Sequence, residues 1–252
     1  MLGTAINVYR TTRKKHDQLW NTYVMRPLAA VAVAAIHRTP ITPNQVTLLN
    51  LFIAVVAMAL FIAMPTLEGG LVAVGVLELA YLFDCADGML ARYKKLASPT
   101  GHLFDFFTDE IKAVMLAGAL GIRLFRTGGL GIDGRAWTPD DPRFLIAAVA
   151  AVAIVASATS LTNFVRRPEL SGRATPTEAH YETVGDARPK SLVGKVGGLV
   201  MTFLRFLNHY PSHIWIFALA GRLELFFWMY AGLNLLYLGK GWLGLIVRFG
   251  RP

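Results

Sequence analysis

Charge is scarce in this chain. Lys, Arg, Asp and Glu together make 16% of its 252 residues, while 54% are hydrophobic; a soluble domain carries about 25% charged residues. Mean hydropathy is +0.47. This balance argues against an ordinary soluble enzyme and points to a bilayer as the solvent. Cysteine is nearly absent: a single residue, Cys85, excludes an internal disulfide framework and a Cys-based zinc site. There is no internal repeat and no low-complexity segment. No signal peptide is expected, because the basic stretch 8–17 is not followed by an apolar core and a small-residue cleavage site. A concentrated basic cluster is missing too. The net charge of +9 is spread between apolar stretches, which speaks against a nucleic-acid partner and for anionic lipid surfaces and phosphate-bearing substrates.

What is present is a series of long apolar runs. A membrane-crossing helix needs roughly 20 such residues. Six stretches qualify: about 43–64, stopped by Pro65; about 69–92; about 101–122; about 143–165; about 194–220; and 224–247. Asn208 to His213 and Gly221-Arg222 interrupt the last two. Residues 21–38 hold a shorter apolar stretch. It reads as a helix lying in the interface, with Arg26, His37 and Arg38 toward headgroups; a seventh span is the alternative. The expected fold is therefore all-α and integral to the membrane: one domain, with an N-terminal interfacial amphipathic helix within 1–42 and six transmembrane helices over 43–247.

Lys and Arg distribution supports that map. With the N-terminus in the cytoplasm, the cytoplasmic segments carry Arg10, Arg13, Lys14, Lys15, Arg26, Arg38, Arg92, Lys94, Lys95, Arg166, Arg167 and further basic residues beyond. The opposite side has Arg123, Arg126, Arg135, Arg143 and Arg222. A seventh span at 21–38 would carry the N-terminal basic cluster outward.

Carboxylates inside such spans are costly and mark function by default. Asp84 and Asp87, three residues apart, share one helix face; Gly101, Asp105 and Asp109, each four apart, form a stripe on the next. Antiparallel packing of the two faces brings four carboxylates together near the cytoplasmic ends. Their mutual repulsion calls for divalent cations. Oxygen ligands without His or Cys suit Mg²⁺ or Mn²⁺, one ion or two. Gly88, Ala91 and Gly101 remove bulk where a ligand or a backbone comes close, although each glycine alone reads as helix packing.

The full string is Asp84-x2-Asp87-Gly88-x2-Ala91-Arg92-x8-Gly101-x3-Asp105-x3-Asp109. It resembles the signature of the CDP-alcohol phosphotransferase (CDP-alcohol phosphatidyltransferase) family at every fixed position and gap. Thr42 to Thr47 (TPNQVT) extends the resemblance, and beyond about residue 166 it holds only in outline. Family members transfer a substituted phosphate from a CDP-linked donor, usually CDP-diacylglycerol, to an alcohol, releasing CMP. The resemblance implies that Asp84, Asp87 and Asp105 hold metal and that Asp109, also near the metal, is the base on the acceptor hydroxyl. It places Pro43, Asn44, Thr47, Asp84, Gly88, Ala91, Arg92 and Gly101 around the CDP moiety. It also implies a homodimer and, from the N-terminal basic and aromatic stretch, a similarity to prokaryotic members making inositol-type lipids, in the cytoplasmic membrane with the site facing the cytoplasm.

Arg166 or Arg167, with Lys195 or Arg205, is expected to hold the phosphate of a phosphorylated acceptor; positive-inside anchoring is the competing reading of these residues. The acceptor stays open among inositol phosphate, glycerol phosphate, serine and choline-type alcohols. Glu78 is expected to meet a basic residue or a wet cavity, Glu110 and Lys112 to pair, Asp140-Asp141 to cap a helix, and the five tryptophans to anchor at the interface. Two other readings compete. A cation transporter or channel would place acidic residues near the midplane of several helices. A family member without catalysis would not need all four aspartates.

Overall fold

The computed structural model describes residues 1–13, 17–171, 203, 206–207 and 209–250. The described residues form helices α1 (Leu2–Thr12), α2 (Arg26–Ile36), α3 (Pro43–Ala63), α4 (Leu67–Tyr93), α5 (Pro99–Thr127), α6 (Pro142–Arg166), α7 (Pro168–Ser171), α8 (Ile214–Leu219) and α9 (Leu223–Phe249). A π-helical turn, Asn21–Met25, leads into α2, and a 3-10 turn, Tyr210–Ser212, precedes α8. Between α5 and α6 lies an antiparallel pair, β1 (Gly129–Leu130) and β2 (Ala136–Trp137).

Local chemistry sets the helix starts. At α3 the Thr42 hydroxyl accepts from Gln45 N at 3.3 Å and the Gln45 side chain accepts from Thr42 N at 2.9 Å. This reciprocal cap satisfies two otherwise orphaned donors, and Pro43 occupies the first turn, where its missing N–H costs nothing. Ser98 caps α5 and Asp141 caps α6, each followed by proline. α5 ends at Gly128, whose φ of 68° suits a residue without a side chain.

α3 packs against α4 and α5, α5 against α6, and α6 against α9, while α1 and α2 lie against α4. One apolar core, with Phe61, Leu77, Leu120, Phe144 and Phe226, fills the bundle. A second, with Val8, Met25, Val33, Met89 and Leu90, seats α1 and α2 on the end of α4. α5 and α6 approach so closely at Gly121 that a β-carbon there would stand 2.3 Å from Ala148 Cβ. At the α3–α4 turn the buried Arg123 donates to the carbonyls of Phe61, Met64 and Thr66 at 3.3, 2.7 and 2.5 Å. Arg126 donates to the Ile62 carbonyl.

α3, α4 and α6 are long and apolar enough to cross a membrane. α5 is as long, but holds Asp105, Asp109, Glu110 and Lys112; α9 is interrupted by Asn234 and Lys240. The first four expected spans coincide with α3 to α6 within a few residues, α5 extending further at its end. Of the fifth, only residues from 203 on are described in part. The run Asn21–Ile36 is apolar but short; at about 1.5 Å per residue it reaches roughly 24 Å, less than a bilayer core. Helix α1 and the β pair have no counterpart in the sequence reading. Trp137 is not a surface anchor: it is 7% exposed and packs edge-on against Phe144 and Trp228.

Candidate active site

The site forms where the last turns of α4 meet the first turns of α3 and α5. Lys94 fixes the end of α4 by donating to the carbonyls of Thr39 and Ile41, both at 2.8 Å. α4 then presents Asp84, Asp87, Gly88 and Ala91, and α5 presents Gly101, Asp105 and Asp109 from the other side.

Carboxylate oxygens of Asp84, Asp105 and Asp109 lie within 4.8 Å of one another. Asp84 accepts from Asn50 Nδ2 at 2.8 Å and from Lys112 Nζ at 2.6 Å. Lys112, 2% exposed, also meets Asp109 at 2.7 Å, whose own side chain is 47% exposed. Asp87 stands outside this trio; it is buried and accepts from the Thr47 hydroxyl at 2.6 Å. Among the described residues, Lys112 is the ammonium paired with this group of four acids. All the candidate ligands are hard oxygens, so a divalent cation such as Mg²⁺ or Mn²⁺ fits the donor set.

Above the carboxylates opens a cavity of about 450 Å³. Pro43, Asn44, Thr47, Asp84, Gly88, Ala91, Arg92 and Gly101 all line it, together with Asp87 and Asp105. At Gly101 a β-carbon would lie 3.1 Å from Ser98 Oγ and 3.3 Å from Asn44 Oδ1, so the absent side chain keeps α3 and α5 close there. Arg92 Nε donates to the Thr12 carbonyl at 3.2 Å and ties the cavity to α1.

The α4–α5 connection from Leu96 to Pro99 adds to the lining, and the N-terminal segment supplies another wall: Asp17, Asn21 and Arg26, with Tyr81 of α4. Arg26 does not face headgroups. It is buried and paired with Asp17. Burial opposes ionisation of Asp17, but the Asn21 hydrogen bond and the Arg26 guanidinium outweigh it and hold the carboxyl below its ordinary value.

Of the basic residues expected at the acceptor, Arg166 lies over the Phe106 ring at 5.3 Å and Arg167 is exposed at the end of α6. Lys195 and Arg205 lie outside the described residues, as does the loop residue His180. Lys112 pairs with Asp84 and Asp109 rather than with Glu110, which accepts from Asn163 at 2.7 Å. Glu78 accepts from Trp20 Nε1 at 3.3 Å and meets no cation among the described residues. Asp141 is the helix cap expected of it. Sequence reasoning missed Asn50 and the role of Lys112. Both are polar residues in apolar helices, one turn beyond Thr47 and Asp109, and that spacing was the available signal.

Residues 40–184, more than half of the chain, match the family model for CDP-alcohol phosphatidyltransferase. No curated protein matches the chain.

Proposed function

Because the chain belongs to the CDP-alcohol phosphatidyltransferase family, we propose that it is a membrane enzyme transferring a phosphatidyl group from a CDP-linked lipid, such as CDP-diacylglycerol, to the hydroxyl of an acceptor alcohol. The observation carrying this reading is the meeting of Asp84, Asp105 and Asp109 within 4.8 Å beside a cavity that all eight donor-binding candidates line.

In the reaction the acceptor oxygen forms a bond to the phosphatidyl phosphorus. The bond from that phosphorus to the CMP oxygen breaks, and CMP leaves with the electron pair. Asp109, the exposed residue of the three clustered carboxylates, takes the hydroxyl proton. Asp84, Asp87 and Asp105, with Asp109 beside them, would hold the divalent metal, which would offset the negative charge on the diphosphate and the leaving group. Asn50 and Lys112 fix Asp84, and Thr47 fixes Asp87, so the ligands are oriented before substrate arrives. Pro43, Asn44, Gly88, Ala91, Arg92 and Gly101 surround the CDP moiety. Arg166 and Arg167, with Lys195 and Arg205, hold the phosphate of a phosphorylated acceptor of the inositol phosphate or glycerol phosphate class; a serine-class acceptor has no such phosphate to hold.

The chain crosses the bilayer six times, with the site toward the cytoplasm and an interfacial helix before the first span, and it works as a homodimer in a prokaryotic cytoplasmic membrane. The donor's acyl chains then remain in lipid while CDP enters from the aqueous side.

The test is CMP release from CDP-diacylglycerol by purified protein with Mg²⁺ or Mn²⁺ and a panel of acceptors. Release that needs metal and one acceptor, and that falls by about 10³-fold or more in Asp109→Asn, is the expected result. No release with any acceptor, in protein that also fails to bind CDP, returns the intramembrane aspartates to an ion-pathway reading.

A further inference from the structure

Arg26 is buried in a way that its neighbours only half explain. Its side chain is 6% exposed, and its Nε pairs with Asp17 Oδ2. Nη1 is also buried, yet makes no hydrogen bond among the described residues. Buried guanidinium N–H groups are ordinarily satisfied, since leaving one without an acceptor is costly. The residue lines the same cavity as Asp84, Asp87 and Asp105.

Arg26 is also held there by a directed set of side chains. Asp17 Oδ1 accepts from Asn21 Nδ2 at 3.0 Å, and Asn21 Oδ1 accepts from the Tyr81 hydroxyl at 2.7 Å. Tyr81 Oη lies 2.7 Å from His209 Nε2, and His209 Nδ1 lies 2.6 Å from Ser212 Oγ. One direction of donation satisfies the whole chain: Ser212 to His209, His209 to Tyr81, Tyr81 to Asn21, Asn21 to Asp17. Tyr81 sits one turn before Asp84 on α4, so this chain sets the guanidinium's position relative to the carboxylates. A fixed arginine with one edge occupied and one nitrogen unsatisfied is suited to an anionic oxygen, and a guanidinium matches phosphate best.

We propose that Arg26 is a phosphate-binding residue of this cavity, with Nη1 donating to a phosphate oxygen of substrate. The inference rests on the proposed function for what that phosphate belongs to: the diphosphate of the CDP-linked donor or the phosphate of a phosphorylated acceptor. The N-terminal segment then belongs to the substrate site and is more than a membrane-surface anchor.

The experiment is equilibrium binding to the purified full-length protein in detergent, with CDP, glycerol 3-phosphate and inorganic phosphate as separate probes. Wild type is compared with Arg26→Gln and Arg26→Lys, and each variant's unliganded melting curve is recorded. We expect Arg26→Gln to weaken at least one probe by about tenfold, with Arg26→Lys recovering part of the loss. Loss confined to CDP assigns the donor diphosphate; loss confined to glycerol 3-phosphate assigns the acceptor. Affinities within about twofold of wild type for all probes overturn the inference, as does a wild type that binds none of them. If Arg26→Gln does not fold, Arg26→Lys carries the test: losing the planar fork weakens binding by roughly threefold or more, and unchanged affinity overturns the proposal. Binding needs no turnover, so a wild type that releases no CMP counts against the phosphatidyl-transfer reading alone.

Discussion

At the scale of single residues, Lys112 is the side chain on which the carboxylate cluster depends most when metal is scarce. It bridges Asp84 and Asp109 at 2.6 and 2.7 Å. Lys112→Met leaves those carboxylates without their shared counter-ion, a loss of about 3 kcal/mol, the low end for a buried pair because Asp109 stays partly exposed. The melting temperature should fall, and added Mn²⁺ should restore more of it than the same addition gains in wild type. Thr47→Ala removes the hydroxyl from the buried Asp87 and should cost about 1.5–3 kcal/mol, while Thr47→Ser should cost less, again read by thermal melting. Asp17 gives a pH dependence. Its folded value lies below the ordinary 3.8, so its contribution to stability is complete above that pH and is lost as pH falls through the folded value. The acid limb of unfolding should therefore flatten in Asp17→Asn. Among these residues the four aspartates were legible from sequence, because charge in an apolar helix stands out. The roles of Lys112 and Arg26 were not, since each depends on a partner reached through the fold: Asp84 from another helix, and Asp17 across a turn.

At the scale of elements, close packing of α5 on α6 gives a paired test. A methyl at Gly121 would meet Ala148 Cβ at 2.3 Å, whereas one at Gly118 would lie 3.4 Å from Val152 Cγ2, an ordinary contact. Gly121→Ala should destabilise by about 1–3 kcal/mol, and Gly118→Ala should leave melting unchanged or raise it. Legibility follows the same physical division. α3 and α6 announce themselves by long apolar runs and α4 by one broken at Glu78 before its aspartates, with Asp141 as a cap and Pro65 as a stop. α1 is short and of mixed polarity, and its buried face is only Ala5, Val8 and Thr12, too little apolar length to stand out beside the long runs. The β pair has two residues per strand, too few for any alternation to register. Trp137 reads like an interfacial tryptophan until that pair folds it into the core.

At the scale of the whole molecule, the expected orientation can be read by labelling. Cys85 is the single cysteine and is buried, so Cys85→Ala gives a clean background. Ile132→Cys, at the exposed tip between β1 and β2, should react with an impermeant thiol reagent from outside intact cells. Leu96→Cys, in the α4–α5 connection, should react only after the membrane is opened. The reverse pattern would invert the proposed topology. A last consequence comes from Arg123 and Arg126, whose guanidinium groups grip the carbonyls at the α3–α4 turn. Those bonds rivet three helices together at the end away from the carboxylates. At the carboxylate end, α3 meets α4 through Thr47–Asp87 and Asn50–Asp84, and α4 meets α5 through Lys112. The three helices are thus laced at both ends, at the tail by backbone carbonyls that no ligand reaches for, and at the other by side chains that a bound cation would have to share.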